Sequence, residues 1–181
     1  MNVITTNLPG VLLIEPKVHG DARGFFLETF REERYREHGI FGPFVQDNWS
    51  RSRRGILRGL HLQHPRAQGK LVMVTRGSVF DVAVDVRVGS ATFGQWYGCE
   101  LSEDNKRQLW IPAGFAHGFC VTSDECDFVY KCTAAYAPEH ERSILWNDPA
   151  IGVRWPIEAP LLSKKDEAAR PLSEQMGLPT V

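Results

Sequence analysis

Between Phe80 and Val86 the chain alternates without a break. Phe80, Val82, Val84 and Val86 are the larger apolar side chains, and Asp81, Ala83 and Asp85 lie between them. A period of two is the signature of a β-strand with one face on a core. Arg76-Gly77-Ser78 just before this run reads as a turn, and Leu71–Thr75 as the partner strand. Gln95–Leu101, Leu109–Ile111, Gly118–Thr122 and Asp127–Thr133 are further short strand candidates, punctuated by Gly89, Gly94 and Pro112-Ala113-Gly114. Helical patterning is confined to Arg31–His38, stopped by Gly39, and to a short stretch within Lys165–Ala169 before Pro171. Many short strands with little helix predict an all-β sandwich or barrel, of which the jelly roll is one form. No internal repeat, low-complexity tract or long linker divides the chain, so its 181 residues are expected to form a single domain, residues 1–181.

Charge narrows the function. The net charge is −1, with no electrostatic footprint for nucleic acid or an anionic membrane surface, so neither is an expected partner. Any phosphate binding must come from a local cluster of Arg and Lys. No apolar run approaches the roughly 20 residues that span a bilayer, and no basic-then-apolar leader is evident at the N-terminus. Cys99, Cys120, Cys126 and Cys132 form no CxxC pair and are expected to be small, buried, reduced thiols. A cytoplasmic location is expected.

The densest polar stretch is Gln46-Asp47-Asn48-Trp49-Ser50, followed by Leu57-Arg58-Gly59-Leu60-His61-Leu62-Gln63. As a strand, the latter puts Arg58 and Leu60 on one face and His61 and Gln63 on the other. Lys70 follows, then His117 among glycines, Tyr130, Tyr136, and Ser163-Lys164-Lys165-Asp166. Taken singly, each has an ordinary structural explanation. A metal centre is disfavoured: metal-binding jelly rolls usually present a His-x-His pair, and here that position reads His61-Leu62-Gln63. No GxGxxG opens a helix after a strand, so no nicotinamide site is expected.

Together these segments resemble the dTDP-4-dehydrorhamnose 3,5-epimerase family. The resemblance is carried by Asp21-Ala22-Arg23-Gly24-Phe25-Phe26-Leu27-Glu28, Gln46-Asp47-Asn48, Leu57–His61, Gln68-Gly69-Lys70-Leu71-Val72, Ile111–Phe119, Tyr130-Lys131-Cys132-Thr133, Tyr136–Arg142 and Leu162–Asp166. It implies a cupin-like jelly-roll (double-stranded β-helix) barrel with short flanking helices. It further implies a homodimer and a thymidine-diphosphate 4-keto-6-deoxy sugar as substrate, with neither metal nor cofactor. His61 matches the family's base, Asp166 its carboxylate partner, Tyr130 the proton donor and Lys70 the cation beside the ketone. Arg23, Phe26, Glu28, Gln46, Asn48, Arg58, His117, Glu141 and Lys165 match substrate-binding positions, and Tyr136 the aromatic that stacks on thymine. Leu62 departs from the pattern, standing where the family usually carries an aromatic; a packing change alone is expected there.

The chemistry implied suits these residue types. A hydrogen on the carbon beside a ketone is only weakly acidic, and its removal leaves an enolate. Inversion needs a base on one face of the sugar, an acid on the other, and a cation at the ketone oxygen. Histidine suits the base role near neutral pH, and a carboxylate fixes its tautomer. Arg23 and Arg58 suit a diphosphate. Double epimerisation at C3 and C5 is the leading expectation. Epimerisation of a single centre on a related sugar nucleotide is the alternative, and a non-catalytic sugar- or metal-binding jelly roll a third reading.

Overall fold

The alternating runs become strands that pair across long sequence separations. The computed structural model describes residues 1–181. Four short N-terminal strands, β1 (Asn2–Thr5), β2 (Leu12–Glu15), β3 (Val18–Asp21) and β4 (Gly24–Leu27), precede the helix α1 (Glu32–Arg36). Eight strands follow: β5 (Gln46–Arg53), β6 (Leu57–Gln63), β7 (Lys70–Arg76), β8 (Ser78–Asp85), β9 (Trp96–Ser102), β10 (Gln108–Ile111), β11 (Phe115–Val121) and β12 (Glu125–Cys132). A last strand, β13 (Glu141–Ser143), and the helix α2 (Lys164–Glu167) follow, with single 3-10 turns at Pro138–His140 and Leu172–Glu174.

The pairing has a simple logic. β5 pairs with β12, β6 with β11, β7 with β10 and β8 with β9, all antiparallel. A long nested ribbon is thus rolled up, and its strands fall into two sheets, β1-β2-β10-β7-β12-β5 and β13-β6-β11-β8-β9. This is the expected jelly roll. The short helices lie near where the sequence put them: the first is trimmed at both ends, the second begins one residue earlier and ends two earlier than expected, and Gly39 takes a positive φ of +79° just beyond the first.

Apolar side chains fill three layers. Between the sheets lie Val72, Val74, Val79, Leu109, Phe119 and Phe128. Outside the second sheet, Leu60, Val82, Val84 and Ile144 pack under the C-terminal segment through Ile151 and Leu172. Outside the first, Ile14, Leu71 and Trp110 are covered by Tyr35 and Ile40. Each such side chain contributes about 1.5–3 kcal/mol on burial. The valine face of β8 therefore packs in an outer layer, while Ala83 faces the barrel interior. The sequence expectation of one buried face misses that covering, because a C-terminal segment of mostly irregular structure shields the second face. Cys120, Cys126 and Cys132 are buried and Cys99 partly so, and all four are free thiols. Burial raises the thiols of Cys120 to about 11 and Cys126 to about 12, so they are inert at neutral pH.

Candidate active site

The core between the sheets is not filled throughout: a cavity of about 610 Å³ adjoins it, lined in part by the core residues Phe119 and Phe128. A smaller pocket of about 250 Å³ shares His61, Lys70, Tyr130, Tyr136 and Glu141 with it. The two sheets supply opposite walls. His61 on β6 and His117 on β11 are register partners in the second sheet. Lys70 on β7 and Tyr130 on β12 belong to the first.

Arg58 lines the same cavity as His61, contrary to the opposite faces expected from simple alternation. The register explains this. His61 faces His117 while Arg58 faces Phe119, so three steps on β6 are matched by two on β11. Such a bulge turns a side chain to the other face. Gly59 at φ +134° accommodates it, and a Cβ there would stand 2.5 Å from the Cα of Gly118. The Arg58 guanidinium is held by Ser52 Oγ at 3.0 and 3.2 Å.

His61 Nε2 lies 2.5 Å from Asp166 Oδ1. Asp166 comes from α2, and its other oxygen accepts a hydrogen bond from Ser163 Oγ at 2.9 Å. Ser163 also caps α2 by accepting the Asp166 backbone N–H. Burial favours the neutral form of this carboxyl, but the bond to His61, its charge and the Ser163 hydroxyl outweigh it, and the group sits below the usual carboxylate range. The remaining ring nitrogen of His61, Nδ1, has no protein partner.

Lys70 enters none of the ion pairs of the molecule. Its burial lowers the ammonium from its ordinary value, against the opposing pull of Cys132, Glu141 and Asp81. Tyr130 is half-buried beside Phe128, and burial raises its phenol, so it remains a proton donor across neutral pH. At the mouth, Glu141 takes Lys165 Nζ at 2.9 Å and Tyr136 Oη at 3.0 Å, and these bonds with His61 hold its carboxyl low despite burial. Gln46 accepts the Tyr136 backbone N–H at 2.7 Å and donates to Asn48 at 2.9 Å. Asn48 in turn reaches Cys132 Sγ at 3.6 Å.

Ten further residues of the expected set thus meet around His61: Asp166, Tyr130, Lys70, Arg58, His117, Tyr136, Glu141, Lys165 and, in the adjoining pocket, Asn48 beside Gln46. Arg23, Phe26 and Glu28 do not. They belong to or follow the isolated β3-β4 hairpin, where Arg23 pairs with Asp21 at 2.5 Å and Glu28 with Arg34 at 2.9 Å. Phe26 is 71% exposed. Leu62 packs in the outer layer, as its position predicted. Sequence reasoning gave no role to Asp81, which holds His117, or to Ser163 as a brace. Ser163 had a legible signal in its capping spacing to Asp166; Asp81 was hidden in the alternation of β8. No cluster of three or more His, Cys, Asp or Glu side chains forms a metal-binding group.

Comparison with known proteins agrees with this geometry. The family model described as dTDP-4-dehydrorhamnose 3,5-epimerase matches residues 5–174. A dTDP-4-dehydrorhamnose 3,5-epimerase of Shigella flexneri is 59% identical over 168 residues, covering 92% of this chain and 93% of its own. A dTDP-6-deoxy-D-glucose-3,5-epimerase of Legionella pneumophila, solved in complex with dTDP-4-keto-L-rhamnose, superposes with a TM-score of 0.97. It is 55% identical, covering 99% of this chain and 98% of its own. A 3′-monoepimerase of Streptomyces bikiniensis, solved with dTDP-quinovose, is 39% identical with a TM-score of 0.91, covering 97% and 91%.

Proposed function

The chain belongs to the dTDP-4-dehydrorhamnose 3,5-epimerase family, and from that premise we propose that its barrel cavity inverts C3 and C5 of dTDP-4-dehydro-6-deoxy-D-glucose, giving dTDP-4-dehydro-L-rhamnose. It is an isomerase acting on a nucleotide-linked sugar. The observation that carries the reading is the pairing of His61 with Asp166 on one wall and Tyr130 on the other.

Asp166 holds the proton of His61 on Nε2, leaving the Nδ1 lone pair to take the hydrogen from C3 or C5. The electron pair of that C–H bond moves into the ring as the carbonyl becomes an enolate. Lys70, free of any protein carboxylate, donates to the enolate oxygen, an interaction of about 2.7–4 kcal/mol in comparable sites. Tyr130 returns a proton from the opposite wall, which inverts the centre. No hydride moves, so the sequence of steps needs no nicotinamide. Arg58 and Lys165 suit the diphosphate. Tyr136, 53% exposed at the mouth, offers its ring to the base.

The homodimer expected from the resemblance accounts for Arg23, Phe26 and Glu28. Their hairpin lies outside its own cavity and exposes Phe25 and Phe26, at 61% and 71%. In a dimer it would bring these residues to the partner's cavity mouth. A cytoplasmic location fits the four free thiols, and no helix is long and apolar enough to cross a membrane.

The single-centre alternative retains one supporting fact: the Streptomyces bikiniensis 3′-monoepimerase shares this fold. Incubation with the 4-keto-6-deoxy sugar nucleotide in deuterated water separates the two. Deuterium at both carbons supports double epimerisation; deuterium at one alone overturns it.

A further inference from the structure

Most buried carboxylates of this chain have an evident structural or catalytic use. Asp85 is held by Arg87, Ser90 and Thr92. Asp127 takes the Arg51 guanidinium. Asp148 accepts the backbone N–H groups of Ala150 and Leu172. Asp166 is shared by His61 and Ser163. Asp81 differs. It is fully buried inside the barrel, and its only hydrogen-bond partner is His117 Nε2, 3.1 and 3.0 Å from its two oxygens. A carboxyl loses its hydration there, and no other side chain takes up its oxygens. The fold keeps a buried acid whose two oxygens serve one imidazole.

That imidazole lines the cavity beside the base. His117 and His61 are register partners, and the two pairs have the same construction: Nε2 faces a carboxylate in each. His117 Nδ1 has no protein partner, and no buried side-chain nitrogen or oxygen lacks one, so Nδ1 opens onto the cavity. The ring of Phe128 lies alongside, its centroid 6.0 Å away and its plane tilted by 23°.

We propose that Asp81 is a positioning residue: it holds the His117 proton on Nε2, so that Nδ1 accepts a hydrogen bond from a ring hydroxyl of the sugar. The inference rests on the epimerase reading of the site and names what the second His–Asp pair contributes to it. The assignment follows from which groups can donate. A ketone oxygen and a diphosphate only accept hydrogen bonds, and Lys70, Arg58 and Lys165 are donors suited to them. With the nucleobase placed against Tyr136 at the mouth, the hydroxyls of the 4-keto-6-deoxy sugar are the groups beside His61 able to donate to an imidazole lone pair. A site built to pair a hydroxyl discriminates strongly against an analogue lacking it, because its own polar group is then left unpaired. The pair would thus set the pose of the ring over His61 and exclude sugars without that hydroxyl.

The test uses Asp81→Asn, which keeps the volume but can turn its amide N–H towards the imidazole and favour the other tautomer. Nitrogen-15 NMR of histidine-labelled protein is expected to show His117 protonated at Nε2 in the wild type and shifted towards Nδ1 in the variant. A thermal melt checks that the variant is folded. Wild type and variant are then compared on the full substrate and on its 2-deoxy and 3-deoxy analogues, following exchange at C5 in deuterated water. One of the two analogues is expected to lose at least tenfold in kcat/KM with the wild type, and that penalty is expected to vanish with Asp81→Asn. An unchanged tautomer, or the same penalties in both proteins, would overturn the inference. If the variant does not fold, His117→Ala, which removes the acceptor altogether, is read by the same analogue comparison, and a penalty retained there would overturn the inference. Absence of exchange in the wild type would instead overturn the epimerase reading itself.

Discussion

At His61 a single short contact decides which nitrogen does the chemistry. Asp166 takes Nε2, so Nδ1 is the base, and removing either partner has a distinct cost. His61→Ala is expected to lower kcat by about 10²- to 10⁴-fold, the usual contribution of a general base, with the substrate still bound. Tyr130→Phe removes the donor but leaves the base. His61 would then return the proton to the face it came from, so solvent exchange should persist while inversion fails, which NMR of the recovered sugar separates. Lys70→Ala is expected to cost about 10²–10³ in kcat, by loss of one oxyanion contact. Burial lowers the Lys70 ammonium below its ordinary 10.5, so activity that needs its charge should decline on the alkaline side before that value. The pH profile of kcat for Lys70→Arg, whose guanidinium stays charged, is expected to lack that limb. The His, Lys, Tyr and Asp of the site were legible as residue types in the sequence. What joined His61 to Asp166, 105 positions apart, was the fold, and before the structure only the family resemblance linked them.

The β6-β11 ladder shows how an element aims its side chains. Gly59 and Gly118 let the two strands approach closely beside the paired histidines, and the bulge there brings Arg58 onto the cavity. A β-carbon at Gly59 would meet backbone atoms at 2.5 and 2.9 Å, in a φ that L residues rarely adopt. Gly59→Ala is therefore expected to destabilise the protein by about 1–3 kcal/mol or more. The measurements are the shift of its thermal midpoint and a loss of activity beyond what unfolding explains. This bulge was missed: Leu57–Gln63 reads by alternation as an uninterrupted strand, although an isolated glycine such as Gly59 is the signal that a strand bulges or another backbone comes close. The helix α2 was legible only as a short stretch before Pro171; the Ser163 cap that starts it, at capping distance from Asp166, was a signal left unused. The interior placement of Asp81 was not, since alternation gives two faces but not which one the C-terminal segment covers.

For the molecule as a whole, the carboxylates tie stability to pH. Asp166 and Asp85 both titrate below their ordinary 3.8: burial opposes ionisation, but hydrogen bonds from His61 and Ser163, and from Arg87, Ser90 and Thr92, outweigh it. A carboxyl depressed on folding contributes stability that is present above its unfolded value and lost as pH falls through its folded one. Denaturant titrations should accordingly show stability falling below about pH 4, and less steeply in Asp85→Asn than in the wild type. The β3-β4 hairpin makes the other claim at this scale. Its exposed Phe25 and Phe26 and the distance of Arg23 from its own cavity fit a shared site, so Phe26→Ser should weaken a dimer seen by sedimentation and raise KM together. The central claim is that one cavity inverts two carbons by enolate chemistry. The most direct measurement is proton NMR of the product formed from dTDP-4-dehydro-6-deoxy-D-glucose in deuterated water. Deuterium at C3 and C5, both inverted, is the expected result with the wild type, and its absence with His61→Ala. Inversion without solvent deuterium, or full exchange in His61→Ala, would contradict the account.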